Sequence, residues 1–295
     1  MKKAIKLLIL ALTVLFTTLL FTGCGEMELE YLLLEDDTYE VRLGSTAFPS
    51  KVIIPETYRG KPVTVLGHSG DAPVDAKVVQ IPPTIKSATK ITLSRFVNAK
   101  EYEDGITYVC NWAIDCERGI TNIKIREGTI GIAGDFLENN PQATSIECPS
   151  SLRYLGRYAF DYGYNLTSVK LNDGLQYIGY GAFSRNTFLR TIVIPDTVTT
   201  MSAGVFWDCA KLERVVLPTS ITKVYEDTFY GCPDNLVFFY KGMEYDFEKI
   251  VTEESTFGVP IQSFSRVYFS PERPQAGLDK YWFMLDGYPT LWSEY

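Results

Sequence analysis

Histidine is almost missing from this chain: His68 is the only one among 295 residues. It stands in a turn just after Gly67, where later segments carry Arg157 or Tyr180, so it reads as a turn residue rather than a ligand or base. Cysteine is sparse and never arranged as Cys-x-x-Cys. The His-Glu-x-x-His, Gly-x-Ser-x-Gly and phosphate-binding glycine patterns are absent as well. The expectation is therefore no metal and no cofactor. Basic residues are also in deficit, with 28 Lys and Arg against 36 Asp and Glu and a formal charge of −8. An acidic body is repelled by nucleic acid and by anionic lipid, which argues against both as partners.

Glycosidases need only two carboxylates, so the acidic clusters Glu35-Asp36-Asp37, Glu103-Asp104 and Asp71 with Asp75 require a reading. All fall in expected turns, where acidic side chains cap and solvate, and nothing in the sequence pairs them across a cleft. No catalytic residue is assigned, and the chain is not expected to be an enzyme.

What the chain has is a 23-residue period. Ile120, Ala143, Leu166, Leu189 and Leu212 open five consecutive units of equal length. Position 4 reads Ile123, Ile146, Val169, Ile192, Val215, and position 6 reads Ile125, Cys148, Leu171, Ile194, Leu217. Position 13 reads Ile132, Leu155, Ile178, Met201, Val224, and position 18 reads Leu137, Phe160, Phe183, Phe206, Phe229. A unit this short cannot bury its own apolar face, but stacked copies share one core, so the pattern predicts a solenoid. Apolar positions 4 and 6 alternate with polar neighbours, the period of a strand. Pro149, Pro195 and Pro218 at position 7 lack a backbone donor and end it, a turn made by Asn172-Asp173-Gly174 in the unit beginning at Leu166. One long parallel sheet is expected along one side, with turns and an aromatic stack on the others.

The pattern Leu-x-x-Ile-x-Ile-Pro, Ile-Gly, Ala-Phe, Cys resembles the leucine-rich repeats of BspA-type bacterial surface proteins. It is carried best by Leu189–Pro195 and Cys209, preceded by Tyr177-Ile178-Gly179-Tyr180-Gly181-Ala182-Phe183. The resemblance implies a leucine-rich-repeat stack with β-rich caps over residues 39–238, regular over 120–234 and irregular over 39–119. Val52-Ile53-Ile54-Pro55 and Gly60–Gly67 read as a first unit widened by a loop. Ala76–Pro83 starts another that lacks the Ala-Phe pair, and a hairpin of Ile106–Cys110 and Trp112–Cys116 interrupts the stack. Glu28–Leu34 and Thr38–Leu43 form the expected amino-terminal cap. Residues 239–295 break the period, and the aromatic run Tyr281–Trp292 resembles the carboxy-terminal cap of these proteins.

Lys2, Lys3 and Lys6 precede an apolar run from Leu7 to Phe21, followed by Thr22-Gly23-Cys24. This is the layout of a secretory signal peptide, residues 1–23, ending in a lipoprotein processing site; it resembles the bacterial lipobox, with Phe21 where leucine is usual. An uncleaved anchor helix is the alternative, and both place the rest outside the cytoplasm. Lipidated at Cys24, the chain would begin with a short segment, 24–38, and lose three lysines and no acid, moving the formal charge from −8 to −11.

Cys110 and Cys116 are the better candidates for a disulfide. Cys209 and Cys232 share position 21 of adjacent units and read, with Cys148, as packing thiols, a bridge between the first two staying open.

An extended stack offers a ladder of side chains rather than a pocket, which favours binding. One candidate surface is the strand face, with Lys124, Glu147, Lys170 and Arg214. A second clusters Tyr154, Tyr158, Tyr162, Tyr177 and Tyr180, together with Tyr164; the alternative is that these rings cover gaps between rungs. BspA-type relatives are associated with adhesion to host or matrix proteins and with contacts between cells. The expected function is thus noncovalent recognition of a protein or glycan by a monomer anchored through lipid at the bacterial surface. An envelope scaffold or polysaccharide-capture protein held close to the membrane is the runner-up.

Overall fold

The computed structural model describes residues 29–44, 51–67, 74–76, 78–254, 260–286 and 288–295. Cys24, the stretch 1–23, His68 and Asp71 lie outside the described residues.

The repeat becomes a three-sided solenoid of about eight turns. On the front, positions 3 to 5 form short parallel strands. Asn122–Lys124, Ser145–Glu147 and Ser168–Lys170 pair in steps of 23, Ile123 opposite Ile146 and Ile146 opposite Val169. Thr191–Val193, Arg214–Leu217, Val237–Tyr240 and Ser265–Phe269 pair in the same sense. Each sends position 4 inward: Ile123, Ile146, Ile192 and Val215 are buried.

The expectation of a single sheet needs correction in two respects. A second parallel ladder runs along the back at positions 12 and 13: Gly131–Ile132, Tyr154–Leu155 and Tyr177–Ile178, then Thr200–Met201, Lys223–Tyr225 and Val251–Glu253. Its strands of two or three residues are too short to leave an alternation. Both ladders are also interrupted at one place, between the units opening at Leu166 and Leu189.

The third side is made of turns, built on left-handed backbone. Asp135, Tyr158, Gly181 and Gly204 at position 16 and Tyr162, Arg185, Asp208 and Gly231 at position 20 all have φ between 57° and 73°. Such a residue reverses the chain within a few positions, and only glycine adopts it without cost. Rungs are joined here by backbone bonds such as Phe160 N–H to Ala182 C=O at 2.8 Å and Phe206 N–H to Thr228 C=O at 2.8 Å. Inside, Phe160, Phe183, Phe206 and Phe229 form the expected stack, successive centroids 5.3–5.4 Å apart. Small residues let the rungs close: a Cβ on Gly179 would stand 2.7 Å from the carbonyl carbon of Gly156.

Toward the amino end, Leu29–Leu33 and Tyr39–Leu43 make an antiparallel hairpin whose second strand pairs in parallel with Lys61–Gly67. Where the Ala-Phe pair is missing, a short helix, Lys90–Ser94, capped by Thr89, buries Leu93 instead. The hairpin Ile106–Val109 with Trp112–Cys116 is a partition: Ile106, Tyr108, Ala113 and Cys116 face the main core, whereas Val109, Trp112 and Ile114 face a separate amino-terminal one. Its second strand also pairs in parallel with Gly131–Ile132, so the hairpin seeds the back ladder as well as dividing the cores.

At the carboxy end, parallel pairing continues to Ser265–Phe269 across a wider coil containing the helix Glu244–Phe247. Tyr281–Leu285 and Tyr288–Leu291 then close the sheet as an antiparallel hairpin. Trp282 is 1% exposed and packs with Phe239, Val216 and Val267 over the outer face of the front sheet.

The five cysteines among the described residues are thiols in this fold. Cys110 sits in the hairpin turn and Cys116 opposite Ile106 at the far end of the strand. Asn111 in the turn and Trp112–Asp115 of the strand, roughly 16 Å, lie between them, beyond disulfide reach; the candidate bridge is not formed in this structure. Cys209 and Cys232 donate to the carbonyls of Phe183 and Phe206 one rung back, at 3.1 and 3.2 Å. Asn186, in the same column, donates to Phe160 C=O at 2.9 Å. In the last three units position 21 is thus a donor column that ties each rung to the one before it. Burial pushes the Cys148 and Cys232 thiols up to about 12, and raises Cys209 well above its ordinary value. Iodoacetamide at pH 8 should therefore leave these three unmodified in the native protein and modify them all after unfolding in urea without reductant, read by mass spectrometry. Failure of any pair to react after unfolding would reveal a disulfide.

Candidate recognition surface

The turn face begins with a buried carboxylate. Asp161 is held at 8% exposure, where an unpaired charge would be costly. It accepts from Tyr162 N–H at 2.9 Å, from the Ser184 hydroxyl, and from Arg185 Nε and Nη2 at 3.2 and 3.0 Å. That fork fixes the guanidinium, and its Cζ lies 4.0 Å from the centre of the Tyr162 ring. Tyr162 meets Tyr164 edge-on at 5.6 Å. One rung on, Lys211 stands 3.9 Å above Phe188; beyond it Trp207 and Tyr230 lie 4.6 Å apart. Tyr162, Tyr164, Phe188 and Tyr230 are 41–46% exposed, far more than a ring that only seals a gap between rungs. Rings braced by cations, presented on rigid left-handed turns, give large contact area with little conformational freedom to lose.

At the corner between this face and the back ladder, Tyr158 and Tyr180 meet edge-on at 5.2 Å under Arg157, whose guanidinium is 5.5 and 4.9 Å from their centres. The hydrogen bond with Tyr158, with partial burial, raises the Tyr180 phenol above its ordinary value. Tyr154 and Tyr177 stand side by side in the back ladder. Tyr154 is different in kind: its hydroxyl donates to Pro83 C=O at 3.3 Å, its ring packs on the amino-terminal core, and burial raises its pKa. The sequence groups five tyrosines as one patch. The structure divides them into a packing residue with its ladder neighbour, a corner pair, and Tyr162 on the exposed turn face.

The strand face is divided too. Glu147 and Lys170 pair at 3.4 Å and, with Lys124, face solvent; an exposed pair of this kind is worth about 0–1 kcal/mol. Arg214 belongs to the cap. It donates to Pro289 C=O at 2.9 Å and pairs with Glu294 at 3.0 Å. The position-5 column, Lys124, Glu147, Lys170, then Val193, Val216, Phe239, turns apolar where the hairpin covers it. That switch is the sequence signal for the covered region, and it goes unused when the face is read as uniformly outward.

The acidic turns are occupied locally. Asp36 accepts from Thr38 at 3.2 Å, Asp37 pairs with Lys61, and Asp75 accepts from Asn98. Glu101 and Glu103 both pair with Arg126, at 2.6 and 3.1 Å. Among the described residues no group of three His, Cys, Asp or Glu side chains is placed to hold a metal ion. Nor, among them, is any helix long and apolar enough to cross a membrane.

Residues 109–235 match the model of the BspA type leucine rich repeat region, in six copies. The match opens inside the hairpin, ahead of the five units in strict register. No curated protein matches the chain. Among solved structures, a leucine rich cell surface protein from Faecalibacterium prausnitzii A2-165 is 15% identical, with a TM-score of 0.51, over 81% of this chain and 99% of that one. A T. pallidum leucine rich repeat protein is 20% identical over 82% and 83%, with a TM-score of 0.40. A leucine-rich repeat protein from Bacteroides ovatus ATCC 8483 is 16% identical over 81% and 69%, also at 0.40. The first of these likenesses shares the fold that the period implies. With columns, ladders and family model in agreement over these residues, residues 109–235 of this chain are a BspA-type leucine-rich repeat region.

Proposed function

We propose that the chain is an extracytoplasmic recognition protein, anchored through lipid at Cys24, that binds a protein partner through the turn face of its solenoid. The observation that carries this reading is the exposed aromatic row Tyr162, Tyr164, Phe188 and Tyr230, braced by Arg185 and Lys211. Tyrosine, tryptophan and arginine dominate the energetics of protein interfaces because they bring area, directionality and charge on few rotatable bonds. Adhesion to host or matrix proteins is the role that the resemblance to BspA-type surface proteins supports. The F. prausnitzii likeness is itself a cell surface protein by name, which agrees with a location outside the cytoplasm.

The amino-terminal layout supports the anchor. The first strand opens at Leu29, so only four residues would separate it from a lipidated Cys24, at most ~15 Å of extended chain. Two or more acyl chains give stable attachment where a single one does not. That short tether is also the observation favouring the second reading, a scaffold or polysaccharide-capture protein working next to the membrane.

The test is binding to immobilised extracellular-matrix proteins by purified wild type and a Tyr162→Ala, Tyr164→Ala double variant. Both rings are exposed, so the variant should keep wild-type stability and lose about 2 kcal/mol or more of binding, some thirtyfold in Kd. Unchanged binding would remove the turn face from the account.

A further inference from the structure

We propose that the junction between the units opening at Leu166 and Leu189 is a hinge, about which the solenoid opens on its front and back while its turn face stays joined. At every other junction between the regular units, both β-ladders are continuous. Here both stop. On the front, Ser145 N–H reaches Thr121 C=O at 3.1 Å, Ser168 reaches Thr144 at 3.3 Å, and Arg214 reaches Arg190 at 3.0 Å. The series has no counterpart from Thr191 to Thr167. Cys148 N–H to Lys170 C=O and Ile194 to Val216, each 3.0 Å, likewise have none from Leu171 to Val193. On the back, Gln176 reaches Arg153 and Thr222 reaches Thr199, both at 2.9 Å, with none from Thr199 to Gln176.

Three further observations fall on the same seam. Val169 and Leu171 are half-buried where their column-mates are fully enclosed. Asn172 Nδ2 is buried without a partner, in the one unit of the last four that lacks proline at position 7. Where Gly156 and Gly179 bond the previous rung through backbone N–H, Ser202 reaches Ile178 C=O with its rotatable hydroxyl at 2.7 Å, and the other link across the seam away from the turn side is also a hydroxyl, Thr197 Oγ1 donating to Asp173 C=O at 2.9 Å and to Leu175 C=O.

The turn side, by contrast, is intact across the seam. Gly181 N–H to Ala203 C=O, Phe183 to Val205 and Arg185 to Trp207 bond at 3.2, 2.9 and 2.7 Å, and the Phe183 and Phe206 rings stack at 5.3 Å. That edge is the pivot. The segments either side differ in support: the front face is open to solvent before the seam and covered by the carboxy-terminal hairpin after it. Opening therefore changes the curvature of the array while holding Arg185, Phe188, Trp207 and Lys211 at fixed spacing.

Backbone groups without ladder partners exchange through low-energy opening, so hydrogen exchange on the wild-type chain is the first readout. The amides of Leu171, Thr191 and Thr199 should exchange at least about tenfold faster than Cys148, Ser168 and Thr222. The second readout is spin-label distance in two variants with equal sequence separation, Thr121→Cys with Thr167→Cys and Thr167→Cys with Glu213→Cys, the singly labelled chains serving as reference. The pair that spans the seam should give the broader distribution. Equal protection at all six amides would overturn the hinge. So would fast exchange with equally narrow distances, which would make the seam a fixed irregularity.

Discussion

Replacing Phe183 by alanine is expected to destabilise the native chain by about 3–5 kcal/mol, the range for deleting a fully buried phenylalanine. The ring is wholly enclosed and touches Phe160 at 5.4 Å on one side and Phe206 at 5.3 Å on the other. Its neighbours are anchored by backbone bonds to the next rung, Phe183 N–H to Val205 C=O among them, so the void cannot collapse without breaking those bonds. A solenoid adds nearest-neighbour terms, so this loss weakens two junctions at once. Urea unfolding followed by far-ultraviolet circular dichroism measures it. A midpoint close to wild type would show that position 18 is not the spine of the stack.

Trp282→Ala is expected to cost a similar amount, about 3–5 kcal/mol, for a different reason. Trp282 closes the outer face of the front sheet. It meets Phe239 at 5.7 Å and Phe269 at 5.1 Å, and its indole N–H donates to Tyr240 C=O at 3.0 Å. Truncation uncovers Val216 and Val267 on the outer face of the sheet, an apolar patch that invites association. The variant should therefore also bind a hydrophobic dye and self-associate. Trp282→Phe separates the two contributions, keeping most of the apolar contact while leaving the Tyr240 carbonyl without its donor, a loss of about 1–3 kcal/mol. If Trp282→Ala stayed monomeric and stable, the hairpin would be an appendage rather than a cap.

How much of this was legible depended on how many residues a feature spans. The columns at positions 4, 6, 13 and 18 repeat over five units, and the buried core follows them with Val169 and Leu171 as the looser members. The back ladder was hidden because strands of two or three residues leave no alternation to read. Its pairing rests on rung spacing, which the front strands set. The left-handed turns were hidden because Asp135, Tyr158, Tyr162, Arg185 and Asp208 hold a geometry that glycine would have announced. For the candidate surface, composition pointed to aromatic residues in the units opening at Ala143 and Leu166, and the structure exposes Tyr162, Tyr164 and Phe188 among them. It could not separate Tyr154, which docks on the amino-terminal core, from Tyr162, which is exposed, since both fall in the unit opening at Ala143, each just ahead of a glycine turn. The same limit applied to Arg214, whose partners Pro289 and Glu294 are remote in sequence. Position 21 shows a further limit: asparagine and cysteine look unlike, and only the shared carbonyl acceptors one rung back reveal a common role.

The central claim is that this array works at the outer surface of the cell, held there by the lipid at Cys24. Protease applied to intact cells tests it most directly, followed by immunoblotting for the repeat region in wild type and in a Cys24→Ser variant. The account predicts that wild-type repeats are removed from intact cells, while the Cys24→Ser chain is shed or misplaced. Wild-type repeats that survive until the envelope is broken would contradict it, and would move the search for partners inward to envelope polymers and membrane neighbours.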